Sequence, residues 1–522
     1  MSDRTNSVVV ESERSATHRE RQEQAVGLAA ARPTLWAVSL SVVAFTVLAA
    51  VLRLMGLGHE SIWFDETCTL DLAGTGYLDV LTGRKLEPSN PAGYFMLLRA
   101  WLELFGSHSI ETARAFSAVM GALSVPAVWL LARALGATTR TGLLACLLVA
   151  ISPPLVYLGQ EARCYALLVL LATLTLAAVA HIERDDRPAA WIGFALAGIL
   201  IVHVHYFGFF VLTVLGLYLL AWAWRQRRPM AVLRLGLVAV VVALCFAHYV
   251  PAVLEQMRLG QGRAKGVWWE HLGMMPAFSI IGRTLIWKEA GRAAVMASVG
   301  LVCLTIFLPA FLLLARVRTW PRLLPAFVVG VPALTALISL RVPMISSHYL
   351  SVTFTALLLL LAWAIDAGLR SRSRGLVAAL VLALTVLMLP ALTRIYLVKH
   401  KTDWRAVSER VAEVAPELPA YFYEDIGEDS FGYYRPKQPR HRLHEDFAGG
   451  DGWKKAGYFD AFHADRAGFW FVFYGTSKDV QAEESRIVER LKKEFDVERD
   501  ERFGQMRLLL CRPPVTVLVR SP

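Results

Sequence analysis

The sequence predicts an α-helical polytopic membrane protein of about eleven transmembrane helices, with a small α/β domain at its C-terminal end. Three observations predict it. Apolar runs of spanning length recur from Thr34 to about Val398. The 522 residues have a mean hydropathy of +0.46, with 56% apolar and only 19% charged residues, which excludes an ordinary soluble multidomain protein. Beyond Val398 the long runs stop, and short strand-like and amphipathic segments alternate.

Residues 1–33 are charged and rich in Ser and Glu, a composition that predicts a disordered N-terminus. The first apolar run follows this segment and is long enough to remain as an anchor rather than be cleaved. The membrane domain, 34–398, reads as spans near 34–57, 109–132, 141–158, 162–181, 188–203, 206–224, 231–251, 293–315, 323–340, 350–369 and 375–397. Loop charges orient it. With a cytoplasmic N-terminus, the inside loops carry Arg133 and Arg140, Arg184 and Arg187, Arg225 to Arg228, Arg316 to Arg322, and Arg370 to Arg374. Each is arginine-bearing, as the positive-inside rule requires. An odd number of spans then puts residues 399–522 outside the cell's inner (plasma) membrane.

The net charge of +11 is uneven: from Lys399 onward about 21 basic residues meet 22 acidic ones, so the excess belongs to the membrane part. That pattern reflects orientation signals and contact with anionic membrane lipids rather than nucleic acid. Cys146, Cys164, Cys245 and Cys303 lie in apolar runs, whereas Cys68 and Cys511 lie in polar ones. No zinc or redox spacing joins them, and free thiols are expected. In the tail, Asp403–Val414 and Ser485–Phe495 have helical spacing, while Ala420–Glu424, Phe469–Tyr474 and Met506–Cys511 read as strands. The tail holds no catalytic motif.

Two long segments fall outside, 58–108 and 252–292. The first opens with Trp63-Phe64-Asp65-Glu66, an acid pair among aromatics where the first helix leaves the bilayer. The second carries Arg258, Arg263, Lys265, Arg283, Lys288 and Arg292 against Glu255, Glu270 and Glu289, with Trp268, Trp269 and Trp287 to seat it in the interface. Solubility explains such a loop plainly; an anionic ligand at the outer face explains it better. Short outer turns add Gln160, Glu161, Arg163 and Tyr165, then His203, His205 and Tyr206, then Arg341, His348 and Tyr349. Singly these are ordinary helix-end residues that snorkel. Together they would ring one cavity with acids for proton work, histidines, and arginines for phosphate, which points to transfer chemistry on a lipid-linked phosphate.

Trp63-Phe64-Asp65-Glu66 resembles the acidic loop motif of the GT-C glycosyltransferases, in the protein O-mannosyltransferase-like group (glycosyltransferase family 39-like) that includes lipid A aminoarabinose transferases. Asn90-Pro91-Ala92-Gly93-Tyr94, Phe105-Gly106, the span beginning Glu111-Thr112-Ala113-Arg114, and Ser152-Pro153 followed by Gln160-Glu161-Ala162-Arg163-Cys164-Tyr165 are similar to that group in order and spacing. His205-Tyr206-Phe207-Gly208 and Asp403-Trp404-Arg405 extend the likeness, which runs from about residue 34 to 410. The resemblance implies a GT-C fold and transfer of a hexosyl or pentosyl group from a polyprenyl-phosphate donor, outside, to a protein, lipid or cell-envelope glycan. It makes Asp65 the base that activates the acceptor. Glu66 then orients the acceptor, binds a divalent ion, or does neither. The group often has a histidine where this chain has Asn90, so no metal site is carried over. It often has an arginine where this chain has His348, which leaves the donor phosphate to Arg163, Arg341 or Lys288. The competing reading, a flippase or transporter of lipid-linked sugar, expects polar groups at mid-membrane and duplicated halves. The polar groups here gather at outer helix ends, and the chain has no convincing internal repeat.

Overall fold

The computed structural model describes residues 34–81, 90–260, 268–282, 292–317, 321–342, 345–371, 373–423, 425–443, 460–463, 465–475 and 478–514. The expected disordered N-terminus lies outside the described residues. Among them, eight helices are long and apolar enough to cross a membrane: Leu35–Leu54, Ile110–Ala134, Tyr165–Asp185, Gly208–Arg225, Pro229–Glu255, Met296–Leu314, Ser347–Arg370 and Arg374–Leu397. A ninth forms if the bent pair Thr139–Ile151 and Pro153–Gly159 is one span. Pro188–Val204 and Leu323–Ser339 fill the other expected positions but are shorter apolar helices.

The bundle is centred on Ile110–Ala134, which packs against Leu35–Leu54, Thr139–Ile151 and Tyr165–Asp185. Its N-terminus is fixed by Ser109, whose side chain accepts the Thr112 N–H. Its buried face is rich in small residues, among them Ala113, Ala118, Gly121, Ala122, Ala127 and Ala132. In lipid, where apolar side chains gain nothing by leaving their solvent, close backbone approach of this kind supplies the packing attraction. Depth in the bundle varies widely: 89% of the apolar window of Ser347–Arg370 is buried against 6% for Leu35–Leu54, which makes the first helix peripheral.

That peripheral helix nevertheless sends one side chain inward. The expected single span at 141–158 is bent by 56° between Thr139–Ile151 and Pro153–Gly159. Pro153 and Pro154 have no N–H to donate, so the helix carbonyls four residues earlier, on Val149 and Ala150, lose their usual partners. Arg53 replaces them: its guanidinium, wholly buried, donates from Nη2 to Val149 O at 3.1 Å and from Nη1 to Ala150 O at 3.0 Å. Room for it is made by glycine. A Cβ at Gly121 would lie 2.8 Å from Arg53 Nε, and one at Gly159 would lie 2.9 Å from its Cδ.

The segment expected as a basic interfacial loop is partly helix. Trp268–Ile281 is helical, and Met274, Ala277, Phe278, Ile280 and Ile281 are buried, packed toward Pro153–Gly159 and Ser347–Leu350. This apolar face, unbroken by charge in 272–282, draws the segment into the bundle. Lys265, Arg283, Trp287 and Lys288 lie outside the described residues.

The C-terminal domain is a five-stranded sheet in the order β2-β1-β3-β5-β4, with β1 Ala420–Phe422, β2 Arg440–Arg442, β3 Phe469–Tyr474, β4 Asp496–Phe503 and β5 Met506–Arg512. Strands β2, β1 and β3 are parallel, and β3, β5 and β4 antiparallel. β3 is apolar at consecutive positions because both faces are covered. Phe469, Phe471 and Phe473 meet Ile487, Val488 and Leu491 of the Lys478–Glu494 helix, while Trp470 and Val472 meet Trp404, Val407 and Val411 of the Trp404–Val414 helix. A helix at Asp425–Tyr434 and strands β2 and β4 add to the sequence expectation. The described cysteines, Cys68 and Cys511 included, form no disulfide with one another.

This domain is bonded to the membrane part. Tyr434 Oη accepts the Ile62 N–H at 3.0 Å and Tyr433 Oη accepts the Ile110 N–H at 3.0 Å. Arg405 Nη1 donates to Gly58 O at 2.9 Å, and the Glu60 carboxylate accepts from the backbone N–H of His400 and Lys401. The loop before the acid pair is thereby held from both sides.

Candidate functional site

Asp65 and Glu66 sit in the first turn of the Phe64–Gly74 helix, where carboxylates favour the helix dipole. Successive residues on a helix diverge by about 100°, and the two carboxylates part accordingly. Glu66 points inward and is fully buried. Its Oε1 accepts from Arg114 Nε at 2.9 Å and from the Ala162 N–H at 3.0 Å; its Oε2 meets Arg114 Nη2 at 2.6 Å and Lys401 Nζ at 3.1 Å. Burial alone would raise its pKa, but Lys401, Arg114 and the Ala162 N–H outweigh burial and hold the carboxyl at about 2. Arg114 also donates to the carbonyls of Leu57, Glu60 and Ser61, so one guanidinium ties down the whole loop.

Asp65 faces the other way, with 36% of its side chain exposed. Arg163 lies against it: Nη2 is 3.8 Å from Asp65 Oδ2, and Nη1 donates to Asp65 O and to Thr69 Oγ1, each at 3.2 Å. Arg163 comes from the Gln160–Cys164 turn, which the bent helix delivers and which Gln160 pins to Leu52 O and Met55 O. Glu161, from the same turn, is buried, with Lys401 Nζ at 3.7 Å and His348 Nε2 at 3.9 Å.

An aromatic group closes the other side. Tyr165 lies 5.0 Å from His348 and 6.0 Å from His205 between ring centres, and Tyr349 lies 4.8 Å from His205. Beside His348 lies a partly open cleft, lined further by Pro154, Tyr157, Leu158, Phe278, Gly282, Ser347 and Phe354. Its walls are mainly apolar, with the Tyr157 phenol, the His348 imidazole and the Ser347 hydroxyl the polar side-chain groups.

Of the residues picked from the sequence, Asp65, Glu66, Glu161, Arg163, Tyr165, His205, His348 and Tyr349 thus come together. Tyr206 turns to Phe246 instead, at 6.4 Å between rings. Arg341 stays apart: it is exposed at the end of the Leu323–Ser339 helix, and its side chain makes no ion pair with the described residues. Lys288 lies outside the described residues. Sequence reasoning missed Lys401, which bridges Glu66 and Glu161 and stacks 5.5 Å over Trp63. It also quoted Arg114 without seeing its task. The signal for Arg114 was available, since an arginine in the first turns of a spanning helix needs a partner. Among the described residues no three His, Cys, Asp or Glu side chains gather closely enough to hold a metal ion. Asn90, where relatives often carry histidine, is buried and accepts from Cys164 Sγ at 3.3 Å.

A family model for dolichyl-phosphate-mannose-protein mannosyltransferases matches residues 89–249. No sequence among the curated proteins matches this one. Among solved structures, ArnT from Cupriavidus metallidurans bound to undecaprenyl phosphate is 14% identical, with a TM-score of 0.57 over 90% of this chain and 97% of that one. Its apo state superposes with a TM-score of 0.56 at 14% identity, over 91% and 98% of the two chains. The arabinofuranosyltransferase AftD from Mycobacteria is also 14% identical, with a TM-score of 0.50 over 93% of this chain and 40% of that one. At such identities the likeness is one of fold.

Proposed function

We propose that this integral membrane protein, which has the fold of the GT-C glycosyltransferases, transfers a sugar from a polyprenyl-phosphate donor to an acceptor hydroxyl at the outer membrane face. The observation that carries the reading is the split of the site's carboxylates. Glu66 and Glu161 are buried among cations, whereas the Asp65 side chain is 36% exposed and has Arg163 beside it.

In this reading the acceptor oxygen attacks the anomeric carbon in line, its proton passes to the Asp65 carboxylate, and the bond from carbon to phosphate oxygen breaks. Polyprenyl phosphate leaves with the electron pair, its charge met by Arg163 in a site of reduced dielectric. A single displacement inverts the anomeric centre. Glu66 holds the loop rather than the substrate, and the apolar cleft beside His348 suits the first isoprene units of the donor. The family model and the ArnT complex with undecaprenyl phosphate support a lipid-linked donor. Arginines in the inside loops support a cytoplasmic N-terminus and an extracytoplasmic C-terminal domain in the inner membrane.

The test is release of polyprenyl phosphate by purified protein, offered a panel of polyprenyl-phosphate hexoses and pentoses with mixed envelope acceptors. Release that requires both donor and acceptor is expected; none across the panel sinks the enzyme reading. Mass spectrometry of envelope glycans, glycolipids and glycoproteins from a strain lacking the protein then names sugar and acceptor. Reporters fused after Arg228 and after Asp403 should read cytoplasm and exterior; a cytoplasmic signal at Asp403 overturns the orientation.

A further inference from the structure

Nε2 of His205, a residue only 3% exposed, is a buried polar atom at this site with no hydrogen-bond partner among the described residues. The local backbone explains its attitude. The Pro188–Val204 helix ends, His205 is extended (φ −158°, ψ 138°), and its ring folds over the next turn so that Nδ1 accepts the Phe207 N–H at 2.9 Å. A ring nitrogen that accepts carries no proton, so the neutral imidazole holds its proton on Nε2. Burial first, and the Arg163 guanidinium second, push the His205 pKa down to about 3, which keeps the ring neutral. The result is a hydrogen-bond donor of fixed tautomer, buried between Tyr165 and Tyr349. Arg163, the cation that acts on it, sits 5.9 Å over the Tyr165 ring.

A buried donor that lacks an acceptor is costly unless a ligand supplies one. The guanidinium nearby makes an anionic oxygen the favoured supplier. We infer that His205 Nε2–H binds a phosphate oxygen of the donor lipid alongside Arg163, as a fixed donor that takes no part in proton transfer. This rests on the donor class proposed above.

Two substitutions separate this role from a structural one. In His205→Asn the amide oxygen still accepts the Phe207 N–H, but nothing occupies the Nε2 position. In His205→Gln the amide NH2 reaches the Nε2 position, while the Phe207 contact is lost. The probe is undecaprenyl phosphate itself, titrated into purified protein in detergent, with melting temperature recorded in parallel. His205→Asn should melt like the unaltered protein and bind the probe roughly tenfold more weakly, the low end of the range for a hydrogen bond to a charged group. His205→Gln should melt lower yet bind more tightly than His205→Asn. Unchanged affinity in His205→Asn overturns the inference and moves the contact to the sugar or to nothing. So does a loss of affinity accompanied by a lowered melting temperature, the mark of a purely structural histidine. Failure of the unaltered protein to bind the probe is a distinct result, and it removes the donor class itself.

Discussion

Asp65 and Glu66 share one helical turn, yet the regions they enter are built on different terms. Around Glu66 both carboxylate oxygens are taken, by Arg114, Lys401 and a backbone N–H, and the site is closed to water. Around Asp65, Arg163 stands at 3.8 Å, more than a third of the side chain is exposed, and a histidine with an unmet donor lies across the aromatic group. Satisfied groups give rigidity, whereas unsatisfied ones leave capacity for a ligand. The difference teaches that the closed region fixes the loop so that the open one can be precise without being filled.

The largest perturbation should come from the closed region. Arg114→Met leaves Glu66 buried with half its partners and several loop carbonyls without donors, a loss of about 3–5 kcal/mol. Chemical or thermal denaturation in detergent measures it, and a melting curve like that of the unaltered protein would break the comparison. Next comes Asp65→Asn, which keeps shape and removes basicity. Turnover at saturating donor and acceptor should fall about a hundredfold or more with melting unchanged. Near-normal turnover would make Asp65 an ordinary loop residue.

Arg163→Ala should weaken use of limiting donor by roughly tenfold to a hundredfold, the range for hydrogen bonds to charged groups. Arg163→Lys should restore only part, since a point charge lacks the guanidinium fork. Full activity in both would leave Arg163 a helix-end anchor. The gentlest probe is pH. Glu66 is held at about 2 in the fold, below its ordinary 4.5, so its stabilising contribution is complete above about pH 4.5 and is lost as pH falls toward 2. Other carboxylates held low, such as Asp500 paired with Arg507, act in the same direction. The diagnostic is therefore the difference between the unaltered protein and Glu66→Gln, which should shrink as pH drops through that window. A constant difference would mean that Glu66 is not ionised in the fold.

Much of this was legible in the sequence, and the gaps have physical causes. Apolar length located the helices because the bilayer sets their scale, and β3 was found to the residue because its apolar run has no alternative use. β4 was missed because Asp496–Phe503 carries six charged side chains, which read as loop; as an edge strand it shows most of them to solvent. The Trp268–Ile281 helix hid behind the basic residues that flank it. The acid pair and the Arg163 turn were visible as local patterns, but their division of labour was not. Lys401 meets Glu66 across 335 positions of chain, and no local spacing encodes such a contact.

Arg53 carries a consequence for the order in which the chain is made. Beside Ala49 O in its own helix, its acceptors are Val149 and Ala150, which lie 96 and 97 residues further along. Synthesis from the N-terminus therefore delivers the cation to the membrane well before the carbonyls that need it. In that interval a guanidinium at the middle of a bilayer would cost about 2.5–3.5 kcal/mol. Arg53 avoids the middle: it is the penultimate residue of Leu35–Leu54, within reach of headgroups and water. The first helix can thus wait, hydrated at one end, and exchange that hydration for the two carbonyls when the proline-broken helix arrives. The bond that joins this bundle's first helix to the proline-broken one is set by the first helix's own last turn.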